Sequence, residues 1–178
     1  MIISKFSKNK GFTLVETLVA ISILLIAVVG PMSLIGDALH KLYYAKDEII
    51  AINLAQEGIE AVRQARDSNM LSGSQWMAGL TPGYYVVDVS GSPVPLLDSR
   101  PCPGLCTTEG LPVYLDVATG LYRQSATFTA TQFSRIVRIE NAGLGSDERR
   151  ITSTVSWRTG GNSGTITVIE YIFKWALP

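Results

Sequence analysis

Lys10-Gly11-Phe12-Thr13-Leu14-Val15-Glu16-Thr17-Leu18-Val19-Ala20 opens a stretch of the chain in which almost every side chain is apolar. From Phe12 to Ile35 the sequence runs 24 residues with Glu16 as its only ionisable side chain. As a helix rising 1.5 Å per residue, such a run covers about 36 Å, enough to cross a hydrocarbon core with some tilt. Lys5, Lys8 and Lys10 precede it, whereas the mixed charges Asp37, Lys41, Lys46, Asp47 and Glu48 follow. That asymmetry keeps the N-terminus in the cytoplasm and exports the bulk of the chain.

Three kinds of segment share a basic start and an apolar middle. A secretory signal peptide would end in small residues, for which Gly36-Asp37-Ala38 offers only a weak site after an unusually long apolar run. A passive anchor has no use for Glu16, because a carboxylate within an apolar helix costs roughly 2.5–3.5 kcal/mol even on lenient insertion scales. Cleavage between Gly11 and Phe12 resolves the cost. It creates a cationic amine at Phe12, four residues before Glu16, and in an array of such helices each Glu16 can meet a neighbour's amine. At about 4 Å and an effective dielectric near 20 the attraction is about 4 kcal/mol, comparable with the burial cost. The same pairing sets the axial register of adjacent helices.

The residues from Lys10 to Ala20 resemble the cleavage and methylation motif of type IV prepilins and type II secretion pseudopilins. The short basic leader, Gly11 before the cut, Phe12 after it and Glu16 at the fifth mature position all match. The resemblance implies processing by a membrane aspartyl prepilin peptidase and N-methylation of Phe12. It further implies assembly with other pilins or pseudopilins into a helical filament. The run Leu54-Ala55-Gln56-Glu57-Gly58-Ile59-Glu60-Ala61-Val62-Arg63 is similar to the stem of minor pilins and pseudopilins, over that one helix.

Beyond the anchor, the chain reads as one domain. Gly30-Pro31 interrupts the apolar helix, and proline's missing amide predicts a kink or local unwinding near residues 27–31. From residue 37 to 71 the pattern turns amphipathic: Ile52, Ala55, Ile59, Val62 and Ala65 recur at spacings of three and four, with Glu57, Glu60, Arg63, Gln64 and Asp67 on other faces. Residues 72–178 read as strands and turns. Tyr84–Val89, Val113–Leu115, Leu121–Arg123, Phe133–Ile139, a strand bearing Ile151, Val155 and Trp157, and Ile166–Trp175 are the expected strands. Phe133, Val137 and Ile139 share one face, and the last three strands suit an antiparallel meander with its apolar side toward the helix. Residues 90–112 form an irregular loop holding five prolines and both cysteines. The expected class is therefore α+β: a leader (1–11), a membrane or filament-core helix (12–36), an amphipathic stem (37–71) and a pilin-like sheet head (72–178).

Composition bounds the chemistry. Charged residues make up 17% of the 178, well below the roughly 25% of soluble domains, consistent with an anchor. Formal net charge is zero; taking the three leader lysines from the 15 basic residues leaves 12 against 15 acids. A mildly acidic remainder argues against a general nucleic-acid binder. Arg135, Arg138, Arg149, Arg150 and Arg158 do crowd one segment, offset by Glu140, Asp147 and Glu148, and read as a solvated sheet face.

Cys102 and Cys106, in Pro-Cys-Pro-Gly-Leu-Cys, are spaced to close a small disulfide ring in an oxidising compartment, with free thiols as the alternative. A metal site would need more ligands, and the single histidine, His40, is remote in sequence. One histidine also leaves little for a catalytic triad. Gly161-Asn162-Ser163-Gly164 lacks nucleophile-elbow spacing, and Gly143-Leu144-Gly145 lacks the third glycine of a dinucleotide loop. Asp147 and Glu148 near Glu140 read as a solvated acidic loop rather than a calcium site. The expectation is a non-enzymatic filament subunit without cofactor, metal or small-molecule substrate, held in the inner membrane as precursor and then in a periplasmic or extracellular filament. The alternative is an anchored, non-polymerising module that binds DNA, a surface or a secreted substrate.

Overall fold

The computed structural model describes residues 11–88, 96–98, 110–124, 127–143 and 147–174. Lys5, Lys8 and Lys10 of the leader, the pair Cys102 and Cys106, Leu144 and Gly145, and Trp175 lie outside them.

Among the described residues one helix, α1 (Leu14–Leu71), is followed by seven strands: β1 (Gly83–Asp88), β2 (Leu96–Asp98), β3 (Leu111–Asp116), β4 (Leu121–Arg123), β5 (Thr129–Asn141), β6 (Glu148–Thr159) and β7 (Asn162–Phe173). Both ends of α1 are closed by local chemistry. At the start, Thr13 Oγ1 accepts from the Glu16 amide at 3.2 Å, satisfying one of the four amides a helix leaves unbonded. At the end, Gly73 N–H reaches Met70 O at 3.1 Å and Ser74 N–H reaches Asn69 O at 2.9 Å. This paired closure needs a left-handed residue, and Gly73 supplies it with φ 71°.

The chain forms two compact units, Met1–Tyr43 and Tyr44–Pro178. In the first, helical structure runs without a break through Gly30 and Pro31. Every described side chain from Gly11 to Tyr43 is exposed, including the large apolar residues Leu14, Ile21, Leu25, Val29 and Met32. The hydroxyls within this apolar run bond to their own helix: Thr17 Oγ1 donates to Leu14 O and Ser22 Oγ to Leu18 O, each at 2.8 Å. Polar groups are thereby satisfied without water. The segment is long and apolar enough to cross a membrane.

In the second unit, α1 from Tyr44 onward packs on one face of an antiparallel sheet. β5, β6 and β7 form the expected meander, with Phe133 opposite Trp157 and Ile139 opposite Ile151. The other edge of β5 is divided: its first half pairs with β3 and its second half with β1. Gln124 bridges that division. Its Oε1 accepts from Val87 N–H at 3.0 Å, while its Nε2 donates to Leu111 O and Arg135 O at 3.2 and 3.0 Å. The side-chain amide stands where a backbone amide would continue the ladder.

The core lies between helix and sheet. Ala51, Leu54, Ala55, Ile59, Ala61 and Val62 meet Val113, Phe133, Val137, Ile139, Ile151, Val155 and Trp157, all buried. Of the predicted stripe, Ala55, Ile59 and Val62 are buried and Ile52 and Ala65 half-buried. Gly58 lets the backbones close in: a Cβ there would fall 2.5 Å from Ser153 Oγ and 2.9 Å from Val137 Cγ2. Small residues on a helix permit this approach, as bulky ones do not.

Two expectations need correction. The segment 90–112 is not irregular throughout, because β2 lies within it, paired to Val86, Val87 and Asp88 of β1, and β3 begins at Leu111. Three residues suffice to use the backbone groups that the end of β1 leaves open. Nor is Arg135 on a solvated face: it is fully buried (0% exposed) on the helix side of β5.

Candidate assembly site

Gly11, Phe12 and Thr13 lie outside the helix, and α1 starts at Leu14. The Gly11–Phe12 bond is therefore in non-helical backbone, with Phe12 largely exposed. Glu16 occupies the third helical position, in the first turn. A carboxylate is favoured there by the unbonded amides and by the positive end of the helix dipole. Thr13 is not among the residues singled out in the sequence, although Thr13-x-x-Glu16 has capping-box spacing and so carries the signal. Gly30 and Pro31 sit further along the same exposed helix.

A second constellation joins α1 to the sheet within residues 44–174. The Arg135 side chain donates to Leu54 O and Glu57 Oε2, both at 3.0 Å, to Val87 O at 2.7 Å and to Gln124 Oε1 at 3.2 Å. Burying a guanidinium is costly unless its fork is filled, and here helix, strand β1 and the Gln124 bridge fill it. Farther along α1, Arg63 binds Glu170 of β7 at 2.6 and 2.7 Å and also pairs with Glu60. The Glu170 hydrogen bond is the main reason the Arg63 guanidinium is held above its ordinary pKa. At the start of the packed segment, Thr159 Oγ1 donates to Asp47 Oδ2 at 2.6 Å, and Tyr44 lies against Trp157 with ring centroids 5.8 Å apart. Burial, and then the nearby Asp47 charge, push the Tyr122 phenol up. These contacts fasten the helix to the sheet; none presents a nucleophile beside a base.

The arginine cluster is thereby dispersed. Arg135 faces the core, while Arg138 and Arg150 lie on the opposite face and share Glu140, at 2.7 and 2.6 Å. Arg138 also covers the Tyr84 ring at 5.4 Å, and Arg149 the Trp76 ring at 5.8 Å. Glu140, expected in a solvated acidic loop, is taken up by two arginines, and its hydrogen bond to Arg150 raises that guanidinium's pKa. Cations neutralised in this way make a poor electrostatic footprint for a phosphate backbone.

The sequence matches the family described as the prokaryotic N-terminal methylation motif over residues 6–30. No curated protein and no solved structure matches the chain. The matched segment contains Gly11, Phe12 and Glu16 and leads into the exposed apolar part of α1. A motif of this kind on an apolar helix is that of a membrane-anchored precursor. This motif, with the helix-on-sheet architecture that follows it, supports a type IV pilin-like protein.

Proposed function

We propose that the protein is a structural subunit, a minor pilin or pseudopilin, of a type IV pilus or a related secretion or competence filament. The observation that carries this reading is the methylation motif at residues 6–30 at the head of a helix whose apolar side chains are all exposed through residue 43. Such a surface needs lipid or other helices around it. In this reading the precursor lies in the inner membrane with its N-terminus in the cytoplasm. A prepilin peptidase removes residues 1–11, Phe12 is N-methylated, and the helix leaves lipid for a bundle of neighbouring stems. Glu16 pairs with the Phe12 amine of an adjacent subunit and fixes its register. Pro31, which has no backbone N–H to donate, and Gly30 before it give the stem a place to loosen during packing. Residues 72–178 form the head carried on the filament surface.

Mass spectrometry of the protein from cells with an active prepilin peptidase tests the reading. The expected N-terminus is N-methylated Phe12, and Gly11→Ala should retain the leader. A wild-type protein that still begins at Met1 would overturn it. The alternative, an anchored module that binds DNA, loses Arg135 from its arginine-rich segment, since that side chain is buried.

A further inference from the structure

β7 is a long sheet edge with little to guard it. Its pairing with β6 runs in unbroken register from Asn162 to Phe173, and no other strand among the described residues pairs with it. Natural sheets blunt such edges with proline, lysine, a bulge or a covering element. Between Gly164 and Phe173 there is no proline and no lysine, and the register carries no bulge. Facing away from α1, Thr165 and Thr167 are followed by an apolar end of the row, where Ile169, Tyr171 and Phe173 are each about half exposed (54%, 49% and 49%).

The opposite face of the same edge borders a groove. This depression of about 500 Å³ lies between β7 and α1 and is lined by Gln56, Glu57, Ile59, Glu60 and Arg63 of the helix and Val168 and Glu170 of the strand, with no residue of the inner strands. Ile59 and Val168 supply apolar floor. The rim carries three carboxylates: Glu57 is paired with the buried Arg135, while Glu60 and Glu170 share the single Arg63 guanidinium. One negative charge is left over, and Glu60 is 61% exposed.

We propose that the β7 edge and this groove receive an extended segment of a partner protein whose side chains alternate basic and apolar. Backbone amides and carbonyls of the segment would continue the ladder beyond β7, as in strand addition to an open edge. Because side chains alternate across a strand, every second one would fall beside Ile169, Tyr171 and Phe173, and these are apolar. Those between would point toward α1, where the surplus carboxylate favours lysine or arginine. The charge of the rim and the apolar end of the outer row, Ile169 to Phe173, together choose this pattern over an acidic or wholly polar strand. This site goes beyond filament assembly through the N-terminal helix and does not depend on it.

The test uses the full chain in uncharged detergent and a fluorescent short peptide of alternating lysine and valine, read by anisotropy. A peptide alternating glutamate and valine serves as comparison. Binding of the lysine–valine peptide, at least tenfold tighter than the glutamate–valine peptide, is expected. Glu60→Lys, at an exposed position, should weaken lysine–valine binding about tenfold and narrow the preference. Tyr171→Lys should weaken it as well, with circular dichroism confirming that both variants are folded. No lysine–valine binding at millimolar peptide, equal binding of the two peptides, or indifference to Glu60→Lys would each overturn the proposal. So would efficient disulfide formation between two copies of a Thr167→Cys variant, which would assign the edge to a second copy of this chain.

Discussion

Arg135 and Glu57 meet at 3.0 Å across the interface between β5 and α1, with the guanidinium fully buried and the carboxylate about one-third exposed (32%). The pair is asymmetric, because Arg135 also holds the carbonyls of Leu54 and Val87 while Glu57 can turn to water.

Removing the buried member should cost more than neutralising the exposed one. Arg135→Met leaves two buried carbonyls and Glu57 without their donor, for an expected loss of roughly 3–5 kcal/mol. Glu57→Gln keeps a hydrogen-bond acceptor and should cost about 1–2 kcal/mol. Urea unfolding of the full chain in detergent, followed by tryptophan fluorescence, measures both; equal losses would refute the asymmetry.

Gly58 and Ser153 are expected to be energetically coupled. Gly58→Ala sets a methyl 2.5 Å from Ser153 Oγ and 2.9 Å from Val137 Cγ2, an overpacking worth about 1–3 kcal/mol. Ser153 Oγ is itself buried without a hydrogen-bond partner, so Ser153→Ala should be neutral or stabilising by up to about 1 kcal/mol. The double variant should recover part of the Gly58→Ala loss, which a double-mutant cycle detects as a non-additive term.

Asp116 caps the turn between β3 and β4. Hydrogen bonding from Thr119, then the Ala118 and Thr119 amides and the Arg123 charge, hold its carboxyl below the ordinary carboxylate value. A depressed folded pKa means stability that is present in full above the unfolded value and lost as pH falls through the folded one. The turn should therefore tighten the protein above the ordinary carboxylate range and loosen as pH falls below it. Asp116→Asn should flatten that part of the urea-midpoint profile; an unchanged profile would show that the turn makes no such contribution.

Glu16→Ala should be cleaved normally yet assemble poorly. If register depends on a Glu16–amine attraction of about 4 kcal/mol, the variant should fall at least tenfold in sheared filaments relative to the membrane pool, read by quantitative immunoblot. Incorporation at the wild-type level would remove Glu16 from the assembly mechanism.

The parts of this fold that are plain in the sequence are those encoded by short periodicities. The apolar run beginning at Phe12, the three-and-four spacing of Ala55, Ile59 and Val62, and the alternation of Ile151, Val155 and Trp157 each report a buried or lipid-facing side directly. Arg135 shows the limit. Its parity places it with Phe133 and Val137 on the core face, but its charge argues for water. Burial depends on Leu54, Glu57 and Val87, separated from it by 81, 78 and 48 residues, and no local pattern reports them. β2 is hidden for a different reason, since three residues in a proline-rich segment are too few to show alternation. The Gly11–Phe12–Glu16 motif is legible because its residues are contiguous. The groove beside β7 is not, because α1 and β7 come together only through the tertiary fold.

The cap that Thr13 places on α1 bears on how such a chain could be edited. A bond between Gly11 and Phe12 lies upstream of the capping residue, in backbone that holds no helical hydrogen bond. A protease could take that bond as an extended strand without melting a single turn. Severing it would change the charge at the terminus and leave the helix geometry as it was, so precursor and product would share one fold and differ only in the chemistry at its tip.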